Sequence, residues 1–307
     1  MTSKVLVTGA SGYIGRVLCD ELDNEGYELV RISRRKLDGC FSIGSIDGTT
    51  DWQVVLTDVD YIVHLAARVH SSDDGSCDSE SQFFKVNTEG TLNLAKQAAA
   101  LGVKRFVFIS SIGVSGRYSS KPFSSCDKPK PYDAYTRSKY NAEQGLKKIS
   151  DKTGLEVVII RPPLVYGKDA PGNFGRLVKL TEMTLPLPLG AIHNKRSFIG
   201  VDNLVDFIVF CIKHPDAQSN VFLVSDDDDV STTELLRILF KARGKKPILL
   251  PINVSLLRFF ARMIGRKSVI DKLACDLQVD MTAINEILGW KPALSLEEGI
   301  FRCFLDD

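Results

Sequence analysis

The stretch Lys4-Val-Leu-Val-Thr-Gly-Ala-Ser-Gly-Tyr-Ile-Gly15 narrows the possible folds more than any other part of the chain. Lys4–Thr8 is a short β-branched apolar run, glycines follow at 9, 12 and 15, and Ile14, Val17, Leu18 and Leu22 then repeat at helical spacing. A strand that turns through glycines into a helix leaves backbone N–H groups and the positive end of the helix dipole at the turn. Such a turn receives a pyrophosphate. Gly9 suits the tight turn, Gly12 lets a phosphate approach the backbone, and Gly15 lets the helix pack on the strand. A glycine-rich hairpin could use the same residues, but the strand before and the helix after favour a dinucleotide site.

Strand and helix patterns alternate through the first half. Glu28–Ile32, Tyr61–Leu65, Phe106–Ser110 and Val157–Ile160 read as further strands, with helical patterns at Ser81–Leu101 and Tyr135–Lys148. Continuous apolar strands separated by helices predict a parallel sheet covered on both faces, with ligands beyond the carboxyl ends of the strands. Prolines at 162, 163, 171, 186 and 188 break up the following stretch and suggest a crossover into a smaller region. There Val221–Val224 reads as a strand and Ser231-Thr-Thr-Glu234 as a capping box. Asp226–Asp229 reads as a solvated acidic loop before that helix. Ser255–Ile264 sets Leu256, Leu257, Phe259, Phe260, Met263 and Ile264 against Arg258 and Arg262; a membrane-surface helix would carry the same pattern, but the expected role is to cover the smaller domain.

Composition removes several function classes. The 307 residues can bury a large core, in one big or two modest domains. With 39 basic and 38 acidic residues the net charge is +1, which offers no electrostatic case for nucleic acid. No apolar run approaches the ~20 residues that span a bilayer, and no secretion signal is legible, so a cytoplasmic protein without a membrane partner is expected. Seven scattered cysteines (19, 40, 77, 126, 211, 275, 303) without a C-x-x-C pair read as reduced thiols. Four histidines (64, 70, 193, 214) have no ligand spacing, so no metal is expected. The chemistry must lie elsewhere.

Tyr135-Thr-Arg-Ser-Lys139 puts a tyrosine and a lysine on one helix face. An ammonium beside a phenol lowers its pKa from ~10 and prepares it to exchange a proton with a hydroxyl. The same spacing also suits a surface pair. A third element supports the chemical reading: Phe106–Ser111 is a buried-type strand ending in hydroxyls, and Ser111 falls where the sheet's ligand should sit. A serine there can hydrogen-bond a reacting oxygen as its charge changes.

Thr8-Gly-Ala-Ser-Gly-Tyr-Ile-Gly15, His64-Leu-Ala-Ala67, Asn87-Thr-Glu-Gly-Thr91, Ser110-Ser111, Tyr135-x-x-x-Lys139 and Arg161-Pro-Pro-Leu-Val-Tyr-Gly167 occur in order. Two later stretches, Arg196–Leu204 and Leu288–Gly299, extend the pattern nearly end to end. Together they resemble the extended short-chain dehydrogenase/reductases, in the nucleotide-sugar epimerase and 4-ketoreductase branch. The resemblance implies a Rossmann-type doubly wound sheet over residues 1–165. Residues 166–307 would mainly bind substrate, partly interleaved with the first region. It implies a catalytic set of Ser111, Tyr135 and Lys139 supported by Asn87. Tyr135 would exchange the proton at O4, and Lys139 would also hold the cofactor ribose. Gly9, Gly12, Tyr13, Ile14, Gly15, Leu65, Ala66, Ala67, Pro162 and Val165 would lie along the dinucleotide. Asn173 and Arg196 would hold a sugar-nucleotide diphosphate, which suits the paired donors of an arginine. His64 reads as a structural strand-end residue.

Departures from the family pattern carry their own expectations. Ile32-Ser-Arg-Arg35 lacks the acid that holds a ribose 2′-hydroxyl in many NAD-binding relatives. Ser33, Arg34 and Arg35 could hold a 2′-phosphate instead, so NADP(H) is favoured and NAD(H) stays open. At Ser45-Ile46, where relatives often carry Asp-Ile or Asp-Leu against adenine, Ile46 is expected to keep the apolar contact, and the serine leaves the polar one open. Ile112-Gly113 after Ser111 disfavours a 4,6-dehydratase, whose relatives carry an Asp-Glu pair there. The expected activity is hydride transfer at C4 of a UDP-sugar, first as a UDP-4-keto-6-deoxy-N-acetylhexosamine 4-reductase and alternatively as a 4-epimerase with retained NAD. A non-catalytic dinucleotide-binding protein is the third reading. A homodimer through the 81–101 and 135–148 helices is possible.

Overall fold

The computed structural model describes residues 2–69, 78–182 and 185–305; His70 and Cys77 lie outside them. In chain order the first half runs β1 (Lys4–Thr8), α1 (Tyr13–Asn24), β2 (Glu28–Ser33), β3 (Phe41–Ser42), β4 (Tyr61–His64), α2 (Asp78–Phe83), α3 (Thr91–Ala100), β5 (Arg105–Ile109), α4 (Ala134–Thr153) and β6 (Glu156–Arg161). The second half adds β7 (Leu164–Tyr166), α5 (Gly172–Leu180), β8 (Phe198–Gly200), α6 (Val201–Lys213), β9 (Val221–Leu223), α7 (Thr232–Ala242), α8 (Val254–Met263), α9 (Lys267–Ala274), α10 (Thr282–Ile287) and α11 (Leu296–Arg302).

Seven strands form one parallel sheet in the order β3-β2-β1-β4-β5-β6-β9. Successive side chains of a strand point to opposite faces, so each strand feeds two apolar layers. Val5, Val7, Val63 and Val107 pack with Leu18 and Leu22 of α1 and Leu204 and Ile208 of α6. Leu6, Ile62, Phe106 and Phe108 pack with Leu94 and Ala98 of α3 and Leu146 of α4. Each such buried side chain contributes about 1.5–3 kcal/mol of apolar burial, which explains why these strands carry no alternating polar residues. The doubly wound sheet expected from the alternation is the observed one. The order reverses at β1, between β2 and β4. That switch point is where an open sheet binds its ligand.

Three local expectations need correction. The helix read over Ser81–Leu101 is interrupted: α2 leads into a π-helical stretch over Phe84–Gly90 before α3 begins. Periodicity alone does not register one added residue per turn, and π turns gather at functional sites. The acidic run is not a solvated loop throughout. Asp226 is buried and accepts hydrogen bonds from the Gly200 N–H (3.1 Å) and Asn203 Nδ2 (2.7 Å), and Asp229 accepts from Ser197 and from Gln278 Nε2. The Asp226 donors come from β8 and α6 and the Asp229 donors from the segments before β8 and α10, all distant in sequence. Finally, α8 buries only Leu257 and Ala261, and most of its large apolar residues are exposed.

The second half returns to the sheet. β9 extends it beside β6, and α6 covers the same face as α1. A separate apolar cluster gathers Tyr166, Phe174, Ile192, Phe198, Leu236 and Ile300, with β7 and β8 paired in parallel beside it. The Ser231–Glu234 capping box forms as expected, each side chain bonding the other's backbone N–H.

Candidate active site

The glycine turn sits at the switch point. Gly9 has φ +73°, and a Cβ there would lie 2.9 Å from the Ala66 backbone nitrogen. Only glycine satisfies both the positive φ and the close approach. A Cβ on Gly15 would collide with the Gly9 carbonyl, so helix α1 can press against the turn only through glycine. Gly12 is the N-cap of α1 and offers no side-chain cap, so the N–H groups of the first helical turn, from Tyr13 and Ile14 to Gly15, have no intrahelical acceptor. This cradle of unfilled backbone donors fits a dinucleotide pyrophosphate. The Tyr13 side chain points away from it: its hydroxyl is buried without a partner, beside Gly167, and burial raises its pKa.

A buried hydrogen-bond chain ties this turn to the next strand. The Ala66 N–H donates to Thr8 Oγ1 (3.2 Å), which lies 2.7 Å from His64 Nδ1. His64 Nε2 lies 2.9 Å from Thr91 Oγ1, which donates to the Asn87 carbonyl (2.8 Å). Since Thr91 gives its proton to Asn87, it must accept from His64; that assigns the proton to Nε2 and leaves Nδ1 to accept from Thr8. Burial, helped by the nearby Lys139 charge, lowers His64 to about 3 and keeps it neutral. His64 is therefore a brace between β1, β4 and α3.

Asn87 lies in the π-helical stretch. Its amide accepts from the Arg68 N–H (2.8 Å) and donates to the Arg68 carbonyl and Ser138 Oγ, both at 3.0 Å. All its strong hydrogen-bonding groups hold the loop after β4 against α4, so it positions neighbours. Leu65, Ala66 and Ala67 form the start of that loop, only partly buried beside the glycine turn.

Ser111 follows β5, and its hydroxyl caps the next turn by accepting from the Gly113 N–H (3.2 Å). It also hydrogen-bonds Tyr135. Asp133 opens α4 through a reciprocal capping box with Thr136, which fixes the first turn where Tyr135 sits. Phe83 meets the Tyr135 ring edge-on at 6.2 Å. Burial pushes the Tyr135 phenol up to about 12, Asp133 and Tyr132 add to the rise, and the Ser111 hydrogen bond opposes it. The causes acting on Tyr135 are burial, Asp133, Tyr132 and Ser111, and Lys139 is engaged elsewhere. Lys139 donates to the Ile109 carbonyl (2.8 Å) and lies over the Phe108 ring, and burial brings it down to about 7. Burial makes the amine shed its proton more readily, so less of it is charged near neutral pH to favour a phenolate.

Glu143, one further turn along the same face of α4, was not singled out from sequence. It is fully buried and accepts from Ser110 Oγ (2.6 Å), Arg161 Nε (2.9 Å) and Arg161 Nη2 (2.5 Å); Arg161 Nη1 reaches Ser115 Oγ (3.1 Å). This paired fork fastens α4 to the ends of β5 and β6 on either side of Ser111. The spacing Tyr135, Lys139, Glu143 was the available signal.

The remaining candidates spread around this centre. Ser33 is buried at the end of β2, 3.1 Å from Ser11 Oγ, and accepts from the Arg35 N–H (3.2 Å); Arg34 and Arg35 are exposed. Ile46 is buried against Gly90 within the core rather than open to a cleft. The Pro162 carbonyl accepts from Ile112 N–H (3.0 Å), and Val165 lies on β7. Arg196 donates to the Lys272 carbonyl, with Tyr132 among its electrostatic neighbours, which brings it toward the start of α4. Asn173 is exposed in the first turn of α5 and makes no side-chain hydrogen bond among the described residues.

The family described as the NAD dependent epimerase/dehydratase family matches residues 5–225. A UDP-glucose 4-epimerase of Vibrio cholerae is 42% identical, over 97% of this chain and 94% of its own. Two solved structures share the fold at 22% identity. One is a UDP-N-acetylglucosamine 4-epimerase from Bacillus cereus (TM-score 0.80, 99% of this chain and 96% of that one). The other is a UDP-glucuronic acid 4-epimerase from Bacillus cereus in complex with NAD (TM-score 0.78, 98% and 95%).

Proposed function

The chain belongs to the NAD dependent epimerase/dehydratase family, as an enzyme of the short-chain dehydrogenase/reductase type, and we propose that it interconverts the C4 epimers of a UDP-hexose or UDP-N-acetylhexosamine. The observation that carries this reading is the Ser111–Tyr135 hydrogen bond at the carboxyl end of β5, on the sheet edge that also holds the glycine cradle. The 4-ketoreductase expected first gives way to its alternative, because the 42% identical relative is a 4-epimerase. The basic turn that favoured NADP(H) also weakens as an argument. The Ser33 hydroxyl is engaged by Ser11 and Arg35 N–H, and a structural neighbour holds NAD. NAD is the proposed cofactor.

Residues of the cradle, with Ala66 and Ala67 beside them, would hold the dinucleotide. When bound, it supplies reversible hydride transfer at the sugar carbon. Tyr135 takes the proton from the C4 hydroxyl during oxidation and returns it during reduction. Ser111 aligns that oxygen and, through its hydrogen bond, is the group favouring the phenolate. Lys139, whose amine donates to the Ile109 carbonyl, would hold a ribose hydroxyl, and Arg196 would pair with the substrate diphosphate.

The test is incubation of purified enzyme with UDP-glucose and, separately, UDP-N-acetylglucosamine, without added cofactor. The expected result is an equilibrium mixture of C4 epimers, with NAD released on heating. Equimolar NADPH consumption with a UDP-4-keto-6-deoxy-N-acetylhexosamine, and no epimerisation, would replace this reading with the ketoreductase.

A further inference from the structure

Helix α8 sorts its residues the wrong way round for a covering helix. Only Leu257 and Ala261 are buried, while Leu256, Phe259, Phe260, Met263 and Ile264 are exposed. These five recur at i, i+3, i+4, i+7 and i+8, so they form one continuous apolar stripe that faces solvent. Phe259 and Phe260 pack edge to face at 5.6 Å, which holds both rings on that stripe. The helix does not depend on burying it: Asn253 caps it by accepting from the Ser255 N–H (2.8 Å), and α9 packs alongside.

Charge flanks the stripe on one side. Arg258 lies on the far side of α8 and pairs with Asp271 of α9 (2.9 Å), which links the two helices into a hairpin. Arg262, Arg266 and Lys267 are exposed around the end of α8, and Arg262 and Arg266 have no ion pair among the described residues. Over Val254–Cys275 the sequence holds five basic residues and one acid, in a chain whose net charge is only +1. The basic excess is concentrated where the apolar surface is.

We propose that the α8–α9 hairpin docks the protein on an anionic phospholipid surface. The apolar stripe enters the headgroup region, and Arg262, Arg266 and Lys267 meet lipid phosphates around it. A second copy of this chain is the competing occupant. A two-fold contact through this patch would set each cluster of cations against its own copy without a matching acidic surface, and like charges at such a contact repel. No helix among the described residues is long and apolar enough to cross a membrane, so the hairpin lies on the bilayer and does not span it. This docking is independent of the epimerase reading.

The experiment is co-sedimentation of the purified protein with phosphatidylcholine vesicles, with and without one quarter phosphatidylglycerol, at low and high salt. Binding is expected on the anionic vesicles, and it should weaken as salt rises. Phe259→Ser with Phe260→Ser, and separately Arg262→Glu with Arg266→Glu, should each reduce binding at least about tenfold. Turnover of a water-soluble UDP-sugar by both variants should stay unchanged. Absence of vesicle binding, or binding that neither pair of changes reduces, overturns the proposal. If light scattering instead shows the serine variant falling from a dimer to a monomer while the parent ignores vesicles, the face belongs to a second copy.

Discussion

Helices α4 and α8 are both amphipathic, yet they sort their residues in opposite ways. α4 buries a lysine and a glutamate, with Lys139 2% and Glu143 0% exposed. α8 leaves Phe259 60% and Met263 72% exposed. Both arrangements cost stability compared with ordinary sorting, and each is held by neighbours outside its own helix. For α4 the holders are Ile109, Ser110 and Arg161, all at the ends of β5 and β6. For α8 they are Asn253 and Asp271. Places where a chain breaks its own local rules are where function is to be sought.

The sharpest way to break the comparison is at Tyr135. Tyr135→Phe keeps the ring against Phe83 and removes the exchangeable proton, so kcat should fall about 10²–10⁴-fold while heat-released dinucleotide stays at the parent level. Retained turnover would remove α4 from the chemistry altogether. Glu143→Ala comes next. It leaves the Arg161 charge buried without its partner and should cost about 3–5 kcal/mol, read from urea midpoints. A loss below ~1 kcal/mol would mean that water enters and the clamp is not what seats α4.

A smaller effect tests the brace behind α4. Folded His64 takes a proton only near about 3, whereas an unfolded histidine does so near 6.5. Between those values the unfolded chain carries the additional proton. Stability therefore falls as pH drops from 6.5 toward 3, by about 1.4 kcal/mol per pH unit from this residue. His64→Gln has no such proton to gain, and its unfolding free energy should vary with pH less steeply by that amount. An unchanged slope would show that water reaches the ring. The smallest effect is expected on α8: Phe259→Ser should change unfolding free energy by no more than about 0.5 kcal/mol, since the ring is mostly in solvent. A larger loss would place that face inside a contact between copies.

Much of the fold was legible in local pattern. Apolar runs bounded by turn residues marked β1, β2, β4, β5, β6 and β9 within a residue or so of their observed ends, because a strand covered on both faces must be continuously apolar. The Ser231 and Gly9 positions were readable for a similar reason: a cap and a positive-φ turn each select residue types by local geometry. The π turn and the burial of Asp226 were not readable, since neither changes the hydrophobic period.

By itself, then, the sequence determined the doubly wound sheet, the cradle at its switch point, and the placement of Tyr135 and Lys139 on one helical face. Those features depend on residues close together in the chain. Tertiary structure alone decided how the side chains are used. It made Lys139 a buried amine directed at Ile109, tied Glu143 to Arg161 and Ser110, gave His64 a single tautomer, and turned the apolar stripe of α8 toward solvent. Each of these depends on which distant groups share a low-dielectric space or leave a face uncovered, and no local spacing carries that information.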